Sequence, residues 1–534
     1  MKNQNSLFYK YEFVLFAAFL FINLLPIALF KFLPTLDGPS HLHNANLIKN
    51  LLFTDSDFLN KFYQLNNELL PNWSGHFILA LFNSFFPAWI ADKILILIYL
   101  ILLPVSFRWF VKSINPNNYL LSYLIFPFCY SFTFFLGFYN FSLALVLLFL
   151  LLGFWIKMQE KIQAMNIAIL FILFTTLYFS HVFVFFIAIM ATGVIVLKQL
   201  AIDNEKTSFH NSFQLFFKRI AIIVLTSGLG LFLSLKFLLS RTAFNYSYIP
   251  KIELLKWIRD IRPTVVFNFG HETVYTRILF YLIVLLTIAA LVQKVNDIIK
   301  SKPRFADFIV SSVKQNDLWF VFSFFLLLFY FFMPDSNGYS GYFTVRMVLL
   351  LYLFYIVWIA IQKYPRWLLI LSISVVFLTN FGLNFYYIKQ IRHLNNLALE
   401  INNQSKFIDD YKVVLPINFS TNWMHGHFSN YLGIDKPIVI LENYECGTGY
   451  FPVKWSNDFP NTTVGNRKNS EFCINWKTNT ESLNQYPIDY IFILGNTEEL
   501  NNPCAKKTMQ LILSEYQLIL QTKNTQQFKL KESN

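Results

Sequence analysis

Long apolar stretches dominate the first 390 or so residues, and they lack the two-residue alternation of a half-buried strand. Each runs for about 16–22 positions, which as helix matches a hydrocarbon layer of roughly 30 Å. The pattern predicts about eleven spanning helices, near 13–33, 88–111, 119–136, 140–157, 166–180, 182–198, 220–240, 277–293, 317–333, 346–362 and 367–386. The run 74–87 is apolar but short, and reads as a re-entrant or interfacial helix. The first run is too long for a cleavable signal peptide, and no small-residue cleavage site follows it.

Near residue 388 the pattern changes. The stretch KQIRHLNNLALEINNQSKFIDDY reads as helix, and VVLPI, KPIVILEN, DYIFILG and YQLILQ read as short strands. FKLKES reads as the hairpin partner of YQLILQ. The expectation is an all-α polytopic membrane protein over 1–387, followed by a small α/β domain over 388–534.

Composition agrees. Of 534 residues, 55% are hydrophobic and 14% charged, against about 25% charged in a typical soluble protein. A soluble globular enzyme, a disordered chain and a secreted disulfide scaffold are excluded, and the lack of alternation excludes a membrane β-barrel. The net charge of +13 reads as a topology signal and gives no case for nucleic acid. With the N-terminus cytoplasmic, the inner segments hold 17 Lys and Arg and the outer ones hold 9. That places 34–87, 241–276 and the C-terminal domain outside. Cys446, Cys473 and Cys504 share the tail, so one disulfide among them is expected without an assignable pairing.

Polar residues among apolar helices are informative. In LDGPSHLHNANLIKNLL, Asp37 and His41 are four apart, at the start of an amphipathic helix that also carries His43. Asp37 is expected to N-cap that helix, with Pro39 in its first turn. His181 falls between two apolar runs, and His76 could face the same outer cavity as Asp37. Asn140 belongs to a tight outer turn. Arg346 opens an almost wholly apolar helix after the irregular loop PDSNGYSGY, and its fork suits a phosphate. In the second outer loop Arg259 and Arg262 could share one helical face, with His271 and Glu272 nearby. His425 and His427 have the spacing of two ligands on one strand face, but with no acid or third ligand beside them in the sequence no metal site is assigned. No Walker motif, GxGxxG or nucleophile elbow is present.

The cytoplasmic N-terminus, the long first outer loop opening on Asp37, the eleven or so helices and the outer C-terminal domain together resemble the GT-C membrane glycosyltransferases. The resemblance covers roughly residues 10–386, in architecture more than in sequence. It implies transfer of a sugar from a polyprenyl-phosphate donor to an extracytoplasmic glycan, lipid or protein. It gives Asp37, with His41, the catalytic role. Arg346 becomes the phosphate ligand, and His181, His76, Asn140, Arg262 and His271 become substrate-binding residues. A divalent cation is compatible with it but not required. The chain departs from the family in that Gly38 follows Asp37, and no second acid comes before Asp55 and Asp57. DGPSHLHNA, FSH, GFYNF and NGYSGYFTVR also resemble uncharacterised membrane proteins of Bacteroidetes-type bacteria, which implies an inner membrane facing a periplasm. The alternatives are a polysaccharide polymerase and a lipid flippase or transporter.

Overall fold

The computed structural model describes residues 6–54, 56–240, 245–301, 317–338, 340–456, 462–464, 474–476, 487–495 and 503–531. The chain forms two compact units, one of residues 1–28 and 97–390, the other of 29–96 and 391–534.

The first unit is helical. Across the described residues, seven helices are long and apolar enough to cross a membrane: Ala88–Ile114, Tyr139–Met158, Val182–Lys206, Phe209–Leu239, Phe269–Lys300, Phe343–Ala360 and Arg366–Phe407. This is the make-up of an integral membrane protein. Of the other spans expected, the first is the 23-residue helix Ser6–Ala28, while Ala164–Ser180 and Leu318–Phe332 are shorter apolar helices.

The expected helix at 119–136 is broken. Leu120–Phe128 is a 3₁₀ helix containing Pro127, and Ser131 caps a separate turn of α-helix, Phe132–Phe135. Proline lacks the N–H that a continuous α-helix needs. In the opposite sense, the two segments expected on either side of residue 388 are one helix, Arg366–Gln404.

Several polar groups inside this unit pair with one another, as a medium without water favours. Asn380 and Asn384 both donate to Asn23 Oδ1, at 2.9 and 3.0 Å, and Tyr130 donates to the Asn23 carbonyl. Arg108 meets Glu12 at 2.5 Å, and Tyr123 donates to the same carboxylate.

The second unit is mixed. Its main sheet has the order β3-β2-β7-β9-β8. The strands are β2 (Val413–Asn418), β3 (Val439–Ile440), β7 (Tyr490–Leu494), β8 (Tyr516–Gln521) and β9 (Thr525–Leu530). β3, β2 and β7 run parallel, while β7, β9 and β8 are antiparallel. The runs VVLPI and DYIFILG are thus neighbours, and the run containing FKLK hairpins with YQLILQ. Leu415, Ile417, Ile491, Ile493, Ile512 and Phe528 make the core on this sheet. Two smaller sheets pair β1 (Tyr63–Leu65) with β4 (Val453–Trp455), and β5 (Thr462–Val464) with β6 (Ile474–Trp476). The first of these joins the segment after the first apolar run directly to the C-terminal chain.

Around this frame pack the helices Gly38–Phe53 and Ser74–Asn83. The first is buried on every face from Gly38 to Ile48, where an amphipathic helix was expected. The second covers ten residues, too few to span. Cys446 is a buried free thiol, whereas Cys473 and the Cys504 side chain lie outside the described residues.

Gly495 ends β7 with φ at +102°, and a Cβ there would come within 2.7 Å of the Ser420 backbone nitrogen. Gly495→Ala should therefore destabilise the protein by about 1–3 kcal/mol. Gly193→Ala, with nothing within 4 Å of the added carbon, should not. Thermal unfolding of the two purified variants in nanodiscs checks the contrast.

Candidate functional site

The second unit contains a buried polar cluster assembled from three stretches of chain. Asp37 stands at the N-cap position of the Gly38–Phe53 helix but makes no side-chain cap bond, contrary to expectation. The Thr35 hydroxyl takes the Gly38 N–H instead, at 3.1 Å, and Pro39 in the first turn has no N–H to offer. The Asp37 carboxylate faces His427 Nε2 at 3.7 Å and also interacts with the Tyr444 side chain.

One turn further along, His41 meets His76 of the Ser74–Asn83 helix. The ring nitrogens His41 Nδ1 and His76 Nε2 are 3.1 Å apart. Both approach Glu445, on the short helix Tyr444–Thr448: His41 Nδ1 is 2.6 Å from Oε1, and His76 Nε2 is 2.8 Å from Oε2. Asn44 donates to Oε2 at 2.5 Å and exchanges a second bond with Asn443. Phe451 packs at a tilt near both imidazoles. All three groups are buried, and their ligand atoms lie within 4.8 Å of one another, so the set could hold a metal ion.

The electrostatics follow from this geometry. Burial alone would raise the Glu445 carboxyl, but the facing His41 and His76 rings outweigh it and hold the group below the usual carboxylate range. Burial lowers His76 despite Glu445. Burial raises Asp37, with His427 and His41 opposing. For His427 the order reverses. Burial works against its charged form, yet Glu442, bonded to its Nδ1, raises it, and Asp37 adds to this.

Sequence reasoning anticipated Asp37, His41 and His76 but missed Glu445, Glu442, Asn44, Tyr444 and the pairing of His427 with Asp37. The signal was the acidic, aromatic run ENYEC, about 400 residues away from its partners. His425 and His427 do not share a strand face. His425 ends the 3₁₀ turn Trp423–His425 and His427 stands just before the next, Phe428–Leu432; His425 bonds Ser420 at 2.7 Å while His427 turns to Glu442. His43 is buried in the unit against Asn430 and the Ile438 carbonyl, 3.2 and 3.3 Å away.

The remaining candidates belong to the first unit. Arg346 is buried, with its guanidinium 4.3 Å from the Phe138 ring centre and 6.0 Å from that of Phe141. His181 packs edge-on against Phe141 and lies within electrostatic reach of Arg346. Asn140 is buried in the first turn of the helix Tyr139–Met158, where a tight loop turn was expected. Arg262 and His271 do not join it. Arg262 lies over Phe132 at 3.9 Å, and His271 packs on Tyr386 at 4.3 Å. Nor do Arg259 and Arg262 share a helical face. The helix Lys251–Arg259 stops, Ile261 turns left-handed and Pro263 follows in a 3₁₀ turn. Arg259 instead pairs with Asp260, at 2.8 Å.

Burial lowers His425 to about 4, well below its unfolded value of about 6.5. The unfolded chain then holds the proton more tightly, so this contribution to stability is complete above pH 6.5 and is lost as pH falls toward 4. The slope approaches about 1.4 kcal/mol per pH unit inside that window. The melting temperature of His425→Gln should fall less than wild type between pH 6.5 and 4.5. His427, raised by its partners, adds no slope there.

No family model matches this chain, and no curated protein does. The chemistry of the cluster is therefore the ground on which its function is read.

Proposed function

We propose that this protein is an integral membrane glycosyltransferase of GT-C-like design, moving a sugar from a polyprenyl-phosphate donor to an extracytoplasmic glycan, lipid or protein. The observation that carries the reading is the state of Asp37. It is the acid that opens the first non-spanning segment, it is buried, and its carboxylate is turned from the helix end toward His427 and Tyr444. A carboxylate raised by burial and facing an imidazole is suited to accepting a proton.

In the reaction an acceptor hydroxyl oxygen attacks the anomeric carbon. The bond from that carbon to the phosphate oxygen breaks, the lipid phosphate departs with the electron pair, and the hydroxyl proton passes to Asp37. In the helical unit, the buried Arg346 guanidinium has the charge and the fork geometry to hold a phosphate. His181 lies within electrostatic reach of it, and Asn140 would serve as a further substrate contact on this reading. A lipid phosphate leaves without a nucleotide, which accords with the absence of a P-loop sequence. The reading places the protein in a bacterial inner membrane, with a cytoplasmic N-terminus and the C-terminal chain in the periplasm.

The test uses purified protein in nanodiscs, a panel of polyprenyl-phosphate sugars and an envelope-glycan acceptor, followed by mass spectrometry of the lipid. Wild type is expected to remove the sugar from one donor. Asp37→Asn and Arg346→Ala should each lower the rate by about 10²-fold or more while still inserting and folding. Wild-type rates in folded Asp37→Asn would overturn the base role, and intact donors throughout would overturn the transfer reading.

A further inference from the structure

We propose that His41, His76 and Glu445 form a binding site for one divalent transition-metal ion of the zinc class, which fastens the first non-spanning segment to the C-terminal chain. This does not rest on the transfer reading, and its readout is metal content rather than activity.

The donor set comes first. Two imidazole nitrogens and a carboxylate are the ligands that borderline-soft divalent ions prefer, whereas magnesium and calcium ask for several oxygens. The 3.1 Å between His41 Nδ1 and His76 Nε2 suits a shared ion. Two nitrogens each about 2.0–2.1 Å from one metal sit about 2.9–3.4 Å apart for octahedral to tetrahedral angles.

The carboxylate comes second. Glu445 is wholly buried, with His41 Nδ1 2.6 Å from Oε1 and His76 Nε2 2.8 Å from Oε2, so the two ring nitrogens and the carboxylate crowd into one small volume. A cation placed there displaces the protons shared between the rings and the carboxylate, and the two nitrogen lone pairs and the negative charge meet on the ion.

The surroundings come third. Asn44 fixes the carboxylate through Oε2, and Phe451 packs near both rings, so the ligands are held in place by other contacts. The three ligands come from two helices near the start of the chain and one more than 360 residues later.

The experiment measures metal in the full-length protein, purified without chelator from zinc-supplemented cells. Close to one zinc per chain is expected by elemental analysis. His76→Ala and Glu445→Gln should retain less than about a tenth of that, and His425→Ala should keep it. Asn44→Ala should bind zinc about 10–100-fold more weakly. Should the ligand variants misfold, wild type stripped with a chelator decides. Its melting temperature should drop and be restored by zinc, and cobalt should restore it with visible ligand-field bands, while magnesium should not. Wild type that purifies metal-free and shows no saturable zinc or cobalt uptake would overturn the proposal. So would zinc content unchanged in both ligand variants, or restoration by magnesium alone.

Discussion

A carboxylate taken out of water has to be neutralised on the spot, and in the second unit that carboxylate is Glu445. Burying such a charge costs several kcal/mol unless cationic or hydrogen-bonding groups face it closely. Here the facing groups are His41, His76 and Asn44. They are carried by the helices Gly38–Phe53 and Ser74–Asn83, so the demand of one residue near position 445 fixes where two early helices pack. Other contacts follow the same line. Asn46 donates to the Gly433 and Lys436 carbonyls, both at 2.9 Å, and β1 pairs with β4. The polar side chains on every face of the Gly38–Phe53 helix then make sense. Its surroundings include the C-terminal chain of its own unit, which supplies partners for His41, His43, Asn44 and Asn46.

The helical unit meets the same requirement by a different route. With apolar side chains as the bulk medium, polar groups gather into small sets: Asn380 and Asn384 on Asn23, Tyr123 with Arg108 on Glu12, and Arg219 on Asp203. Arg346 sits among aromatic rings, with Phe138, Phe141 and Phe343 within 6.0 Å of its guanidinium and His181 in electrostatic reach, and such rings attract a cation.

The parts legible in the sequence were those set by local pattern. Apolar runs identified the long helices, and short apolar runs between polar stretches identified β2, β3, β7 and β8, with β9 as the hairpin partner of β8, because each depends on neighbours a few positions away. The 3₁₀ break after Leu120 was hidden by uniform apolarity, with Pro127 as its only mark. The site was half legible. Asp37, His41 and His76 stood out as polar residues beside apolar runs, whereas Glu445 lies in an ordinary polar tail. Its importance comes from burial and from partners 369 and 404 residues away, which no local period encodes. His425 and His427 misled for the converse reason. Their spacing suggests a shared face only on a strand, and the backbone there turns twice.

The Asp37 position shows how a local rule, once broken, points to chemistry. An aspartate at a helix N-cap ordinarily bonds the second or third backbone N–H of that helix. In this chain Thr35 accepts from Gly38, and Pro39 has no N–H, so the demand at the helix end is already reduced. The same short sequence, TLDGPS, therefore supplies a substitute cap and frees the acid. What the acid faces instead, His427 braced by Glu442, is a second acid–base pair set beside the His41–His76–Glu445 cluster. A structural cap would need neither that imidazole nor its brace, and the cost of burying Asp37 away from the helix end is intelligible if its carboxylate has to exchange a proton.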